Sequence, residues 1–267
     1  MRPVMSQGRV QSAVINGVVA AASASVSPVV PAAIVGAWLI AILAQGTGNA
    51  AFLHHHALIE GGPPLWVAAP LFLVGWQVMI VAMMWPASLA SIGSFTAGES
   101  LKDHLRPGLA SFLGSYALVW TAYGLLAFLG DVALHHVVDA TPWLAARPWI
   151  IEASVVSVAG AYQFSPLKRR SLAACRHPAG VLPAAGPQRR SSFAMGLDLG
   201  AACLGSSWAL MLLMFAEGFA NVEWMAALTV VMVYETTGRH GQRAASAAGI
   251  LLLLFGAALL STGAGAA

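Results

Sequence analysis

Long apolar runs separated by short polar segments follow one another along nearly the whole chain. Seven of them are candidate membrane spans: residues 29–45, 65–88, 108–130, 149–164, 197–216, 222–236 and 245–260. A helix needs roughly 20 apolar residues to cross a bilayer. The runs are rich in Ala, Leu and Gly and continuously apolar, so they predict helices rather than the alternating strands of a β-barrel. The fourth, sixth and seventh are short and are expected to extend a turn into their flanks. The pattern predicts an all-α polytopic membrane helix bundle of about seven transmembrane helices.

Composition sharpens this. Of 267 residues, 58% are hydrophobic and 9% charged, against about 25% charged in a soluble domain. So few charges cannot cover a water-exposed surface, and the expected surroundings are membrane lipid. The net charge of +3 reads as a record of orientation rather than as a nucleic-acid signal. With the N-terminus in the cytoplasm, the cytoplasmic segments hold twelve of the thirteen Lys plus Arg, and Arg147 alone falls outside. That separation favours seven spans over six or eight and puts the C-terminus outside. The expected location is a bacterial-type cytoplasmic (inner) membrane.

The chain divides into an N-terminal arm (1–28), one helical domain (29–262) and a short tail (263–267). The arm has a basic start and a weak Ala/Ser-rich apolar stretch broken by Asn16 and Gly17. It resembles a poor signal peptide but reads better as an interfacial arm. The longest loop, 165–193, is basic and carries Pro166, Pro178, Pro183 and Pro187. It is expected to lie in the cytoplasm near anionic headgroups as a topology anchor.

This topology sorts the candidate ligands. The outer face collects His54, His55, His56, His135 and His136 with Glu60, Asp131, Asp139, Glu152, Glu217 and Glu223. A face with so many carboxylates and one basic residue attracts cations, and imidazole and carboxylate suit divalent copper, zinc or another divalent metal. In "GDVALHHVVD", Asp131, His135 and Asp139 are four apart and share a face if the third helix runs on past the headgroups. His136 lies about 100° further round. Thr141-Pro142 then closes that helix. Of His54, His55 and His56 at most two can reach one ion, because neighbouring helical side chains diverge.

The apolar interior offers softer ligands. Met83 and Met84 lie in "WQVMIVAMMWP" with Met79, and Cys203 precedes Met211 and Met214 in "CLGSSWALMLLM". Thiolate and thioether select monovalent copper, although a methionine stripe at helical spacing is also ordinary core filler. The two cysteines, Cys175 and Cys203, match no disulfide framework and no zinc spacing. Asn221 reads as the N-cap of the sixth span, and Glu235 as a helix-end carboxylate. The sequence holds no HExxH, P-loop or dinucleotide fingerprint. The small-residue faces "GLASFLGSYAL" and "GAACLGSSWAL" read as helix-packing surfaces.

"VAMMWPAS" (81–88), "AGAYQFSPLKRRSLAACRHP" (159–178) and "CLGSSWALMLLMFAEGFANVEWMAALTVVMVYE" (203–235) resemble the predicted metal-binding integral membrane proteins of domain of unknown function 2182. The resemblance covers about residues 65–260. It implies a metal-handling role, since some members help deliver copper to a tyrosinase-type oxidase. It also implies that Cys175 and Cys203 sit at cysteine positions of the family. This chain departs from the family where many members carry cysteine: Ser171, Ser206 and Ser207 stand there instead.

The expected function is therefore that of a membrane metal-binding protein, a carrier that handles copper or delivers it to a client metalloenzyme rather than an enzyme itself. The expected metal ligands are His54, His55, His56, Asp131, His135 and His136 at the outer face, with Met83, Met84 and Cys203 as an inner station. Rival readings are a metal-ion transporter, a structural subunit of a membrane complex, and a membrane enzyme using Asp131, Glu152 and His135 as acid/base groups.

Overall fold

The computed structural model describes residues 26–48, 58–59, 62–99, 105–176, 191–217 and 221–266. His54, His55, His56 and Glu60 lie outside the described residues, as does the N-terminal arm up to residue 25. The described chain is helical: α1 (Val29–Gly46), α2 (Leu65–Glu99), α3 (Leu105–Asp139), α4 (Pro142–Ala145), α5 (Pro148–Tyr162), α6 (Pro166–Arg176), α7 (Ser192–Glu217), α8 (Val222–Thr237) and α9 (Gly241–Ala266).

A helix covers each of the seven apolar runs. Five of them, α1, α2, α3, α7 and α9, are long and apolar enough to cross a membrane. The other two are shorter. With 15 residues in α5 and 16 in α8, they reach about 22–24 Å at 1.5 Å per residue, less than the roughly 30 Å of a hydrocarbon core. Pro142 and Pro148 open α4 and α5 at their first turns, where a missing N–H costs nothing. Asn221 caps α8, its side chain accepting from Trp224 N at 3.2 Å.

The core lies between α2, α3 and α7, with α8 beside them. Trp76, Met79, Met83 and Met84 of α2, Phe112, Tyr116 and Trp120 of α3, and Cys203, Met211 and Met214 of α7 are buried there. Ring pairs tie α2 to α3: Phe72 stacks on Phe128 at 4.8 Å and Phe95 on Phe112 at 4.3 Å. The outward faces of α1 and α9 carry exposed Leu39, Leu43, Leu251 and Leu254. In lipid, apolar burial drives helix association weakly, so close backbone approach and interhelical hydrogen bonds matter more. Both are present. A Cβ at Gly196 of α7 would collide with the Phe112 carbonyl oxygen and the Ser115 hydroxyl of α3. Trp76 Nε1 donates to Trp120 O at 2.8 Å, Gln77 Nε2 to Thr121 Oγ1 at 2.7 Å, and Tyr123 OH to Trp208 O at 2.8 Å.

The region expected to be a basic, turn-rich loop is different in kind over its first third. Residues 166–176 form α6, an amphipathic helix. Lys168 and Leu172 are fully buried, while Leu167, Arg169 and Arg170 are turned outward. A Cβ at Gly205 of α7 would run into the Ser171 hydroxyl, so the missing side chain lets α6 lie close on α7. Arg176 then ties the far end of α6 to α8, donating to Glu235 O at 2.9 Å and Gly238 O at 2.6 Å. Carbonyls at a helix C-terminus lack helical partners, and an Arg is well suited to take them.

Candidate metal centre

Met84 and Ser88 are one helical turn apart on α2, and Cys203, Ser206 and Ser207 share one face of α7. Where these faces meet, Cys203 Sγ lies 3.9 Å from Met84 Sδ. Ser207 Oγ lies 3.5 Å from the same thioether. Tyr116 of α3 donates its hydroxyl to Cys203 Sγ at 3.1 Å, and Ser88 Oγ sits 3.2 Å from that hydroxyl. Ser206 and Ser207 both turn their hydroxyls back onto the Cys203 carbonyl, at 2.8 and 2.7 Å. All of these side chains are buried.

α6 adds the second thiol. Cys175 is half-buried, 3.8 Å from Ser206 Oγ. It also sits beside Cys203: hydrogen bonding to that thiol, together with burial, pushes the Cys175 thiol well above its ordinary range, and the Lys168 ammonium pulls the other way. Two thiols and one thioether from three helices thus lie in one neighbourhood, Met84 in contact with Cys203 and Cys175 linked to Cys203 through Ser206. Met83 is fully buried on the same helix. It lies about 100° round from Met84 and outside this hydrogen-bonded set.

The outer-face candidates are arranged differently. α3 does continue through Asp139, so Asp131 and His135 share a face as expected. His135 Nδ1 lies 3.5 Å from Asp131 Oδ1 and 2.9 Å from the Asp131 carbonyl oxygen. His136 and Asp139 are exposed, and so is Glu152 on α5. Among the described residues no three His, Cys, Asp or Glu side chains gather as a metal site, so a zinc-type cluster is not found there. The two candidate centres are also far apart. Tyr116 and Asp131 are 15 residues apart on one helix, which is about 22 Å.

Met84 and Cys203, two of the ligands expected from the sequence, thus lie together in the fold, with Cys175, which was not among those expected, near them. The signal was present: Lys168, Leu172 and Cys175 recur at helical spacing, which marks 166–176 as a helix with one buried face. Tyr116 and Ser88 carried no sequence signal, because a lone hydroxyl in an apolar run looks like any other.

The described residues are helical, five of the helices are long and apolar enough to cross a membrane, and side chains of the thiol and thioether kind that meet here suit soft metals. Comparison agrees: the family model described as PpoB2, copper chaperone, matches residues 73–259. The match covers well over half of the chain, which belongs to that family. It includes Met83, Met84, Asp131, His135, Cys175 and Cys203. No curated protein and no solved structure proved similar to the chain.

Proposed function

We propose that the chain is an integral membrane copper chaperone that holds Cu(I) between Cys203, Cys175 and Met84 and passes it to a client metalloenzyme. The observation that carries this reading is the meeting of Cys203 Sγ and Met84 Sδ at 3.9 Å in a buried core, with Cys175 beside them. Soft sulfur ligands select monovalent copper. Two sulfurs bonded to one ion at about 2.3 Å, the length known for zinc thiolates, are at most about 4.6 Å apart. The observed spacing lies inside that limit, so little rearrangement is needed to load the ion.

In this reading all seven apolar helices sit in the inner membrane, α5 and α8 with local thinning or snorkelling at their ends. The positive-inside pattern supports α6 on the cytoplasmic side. Cys175, half-buried on that helix, would then be the ligand that first meets incoming copper. Asp131, His135 and His136, with His54, His55 and His56, would form a separate outer station. Across about 22 Å the two stations cannot exchange an ion directly.

The test is elemental analysis of protein purified under reducing conditions and loaded with Cu(I). Wild type should bind copper. Variants Cys175→Ser and Cys203→Ser should lose most of it, and His135→Ala should keep it. Unchanged copper in the cysteine variants, or loss in His135→Ala alone, would move the site to the outer face.

A further inference from the structure

Lys168 is fully buried, and its Nζ lies 2.6 Å from Glu235 Oε2, itself 2% exposed. Glu235 Oε1 has no hydrogen-bond partner among the described residues. Such a pair is expensive to place. Replacing a buried ion pair by apolar side chains is often neutral or stabilising, so stability alone gives no reason to keep one. A half-satisfied carboxylate makes the arrangement poorer still as a structural device.

Its position suggests a different use. Lys168 and Cys175 are seven residues apart on α6, two turns along nearly one face. That face packs against the helix carrying Cys203. Loading Cu(I) onto two thiols releases two protons and leaves a copper bis-thiolate with one net negative charge in a buried site. A buried negative charge is costly unless a positive one balances it. Of the basic side chains on α6, Lys168 alone is fully buried; Arg169 and Arg170 face outward, and Arg176 is spent on the carbonyls that end α8.

Resting on the proposed thiol–thioether site, we propose that Lys168 is the counter-charge of the loaded copper centre, and that Glu235 sets how much of that charge the centre receives. In the empty protein the carboxylate holds the ammonium. In the loaded protein the ammonium is shared between Glu235 and the bis-thiolate. Both are positioning residues; neither is a ligand.

The two partners therefore act with opposite signs. Lys168→Met should weaken Cu(I) affinity roughly tenfold, the scale of one unit charge acting over about two helical turns at an effective dielectric near 20. Glu235→Gln leaves the ammonium uncompensated beside the thiols and should tighten binding. The measurement is competition with a chromophoric Cu(I) chelator, on full-length protein in detergent. A copper-free readout accompanies it: in a Cys203→Ser background, where Cys175 is the sole thiol, Lys168→Met should slow alkylation by iodoacetamide and Glu235→Gln should speed it. A purely structural pair would give losses of the same sign in both variants, and that result overturns the proposal, as does no change in either. The double variant Lys168→Met/Glu235→Gln, which buries no lone charge, is expected between the two single variants. If the cysteine variants keep full copper, the site reading itself has failed; the alkylation arm still reports on Lys168.

Discussion

Trp38 of α1 donates its indole N–H to the carbonyl of Ala82 at 3.0 Å. Ala82 is the residue four before Pro86, and Pro86 lies inside α2. A proline has no N–H, so the carbonyl four residues back loses its helical partner. Trp38 replaces it. The proline in "MMWPAS" thus does two things: it removes one backbone hydrogen bond of α2 beside Met83 and Met84, and it leaves the acceptor that holds α1 against α2. Ala82 is fully buried, and a buried carbonyl cut off from its helical partner needs such a replacement.

Trp38→Phe should cost about 1–3 kcal/mol, the penalty of a buried acceptor left unsatisfied. In a Pro86→Ala background, the restored N–H at 86 takes the Ala82 carbonyl and the same change should cost much less. A double-mutant cycle on thermal or denaturant stability in detergent checks this. Equal costs in both backgrounds would disprove the coupling.

Gly196 tests the α3–α7 crossing. Gly196→Ala pushes a methyl against the Phe112 backbone carbonyl, which has no rotamer to change, so the helices must separate. A loss of about 1–3 kcal/mol is expected, as for an overpacked core. An unchanged melting temperature would show that the helices part freely there.

Ser206 lies 3.8 Å from the Cys175 sulfur. Ser206→Cys places a third thiol at the same centre, and Cu(I) affinity measured by chelator competition should rise at least about tenfold, as expected when a hydroxyl gives way to a softer ligand. Ser207 Oγ reaches Met84 Sδ, so Ser207→Cys should act in the same direction. If neither variant tightens binding, copper is held elsewhere.

The Cys175 thiol is pushed above its ordinary range, first by hydrogen bonding to Cys203 and then by burial. In the empty protein it therefore keeps its proton at neutral pH. In the proposed site copper would bind the thiolate, so that proton would have to leave on loading. Apparent Cu(I) affinity should then rise with pH across the neutral range, by up to about tenfold per pH unit for each proton released. Titrations between about pH 6 and pH 8 measure the slope; a flat profile would mean that Cys175 is not a ligand.

The helices were legible in the sequence because their cause is local. Continuous apolar runs in lipid must satisfy their own backbone, and only a helix does so within one segment. The limits of α3 at Asp139 and Pro142, and the Asn221 cap of α8, followed from side-chain chemistry a few residues long. The Asp131–His135 pair was legible for the same reason, since i and i+4 meet on any helix.

Tertiary structure decided what distant residues do. Lys168 read as a headgroup anchor because a lysine in a basic stretch is usually solvated; only the packing of α6 on α7 and α8 shows it buried against Glu235, 67 residues away. In the sequence Cys203 and Met84 were softer ligand candidates in runs that read more readily as core filler, and their distance of 3.9 Å across 119 residues shows that their sulfurs meet. The sequence by itself determined the apolar helices, their ends and the ligand types available. Which sulfurs and charges converge depends on helix crossings set by glycines, prolines and indole hydrogen bonds between helices, and no periodicity along one helix encodes a distance to another.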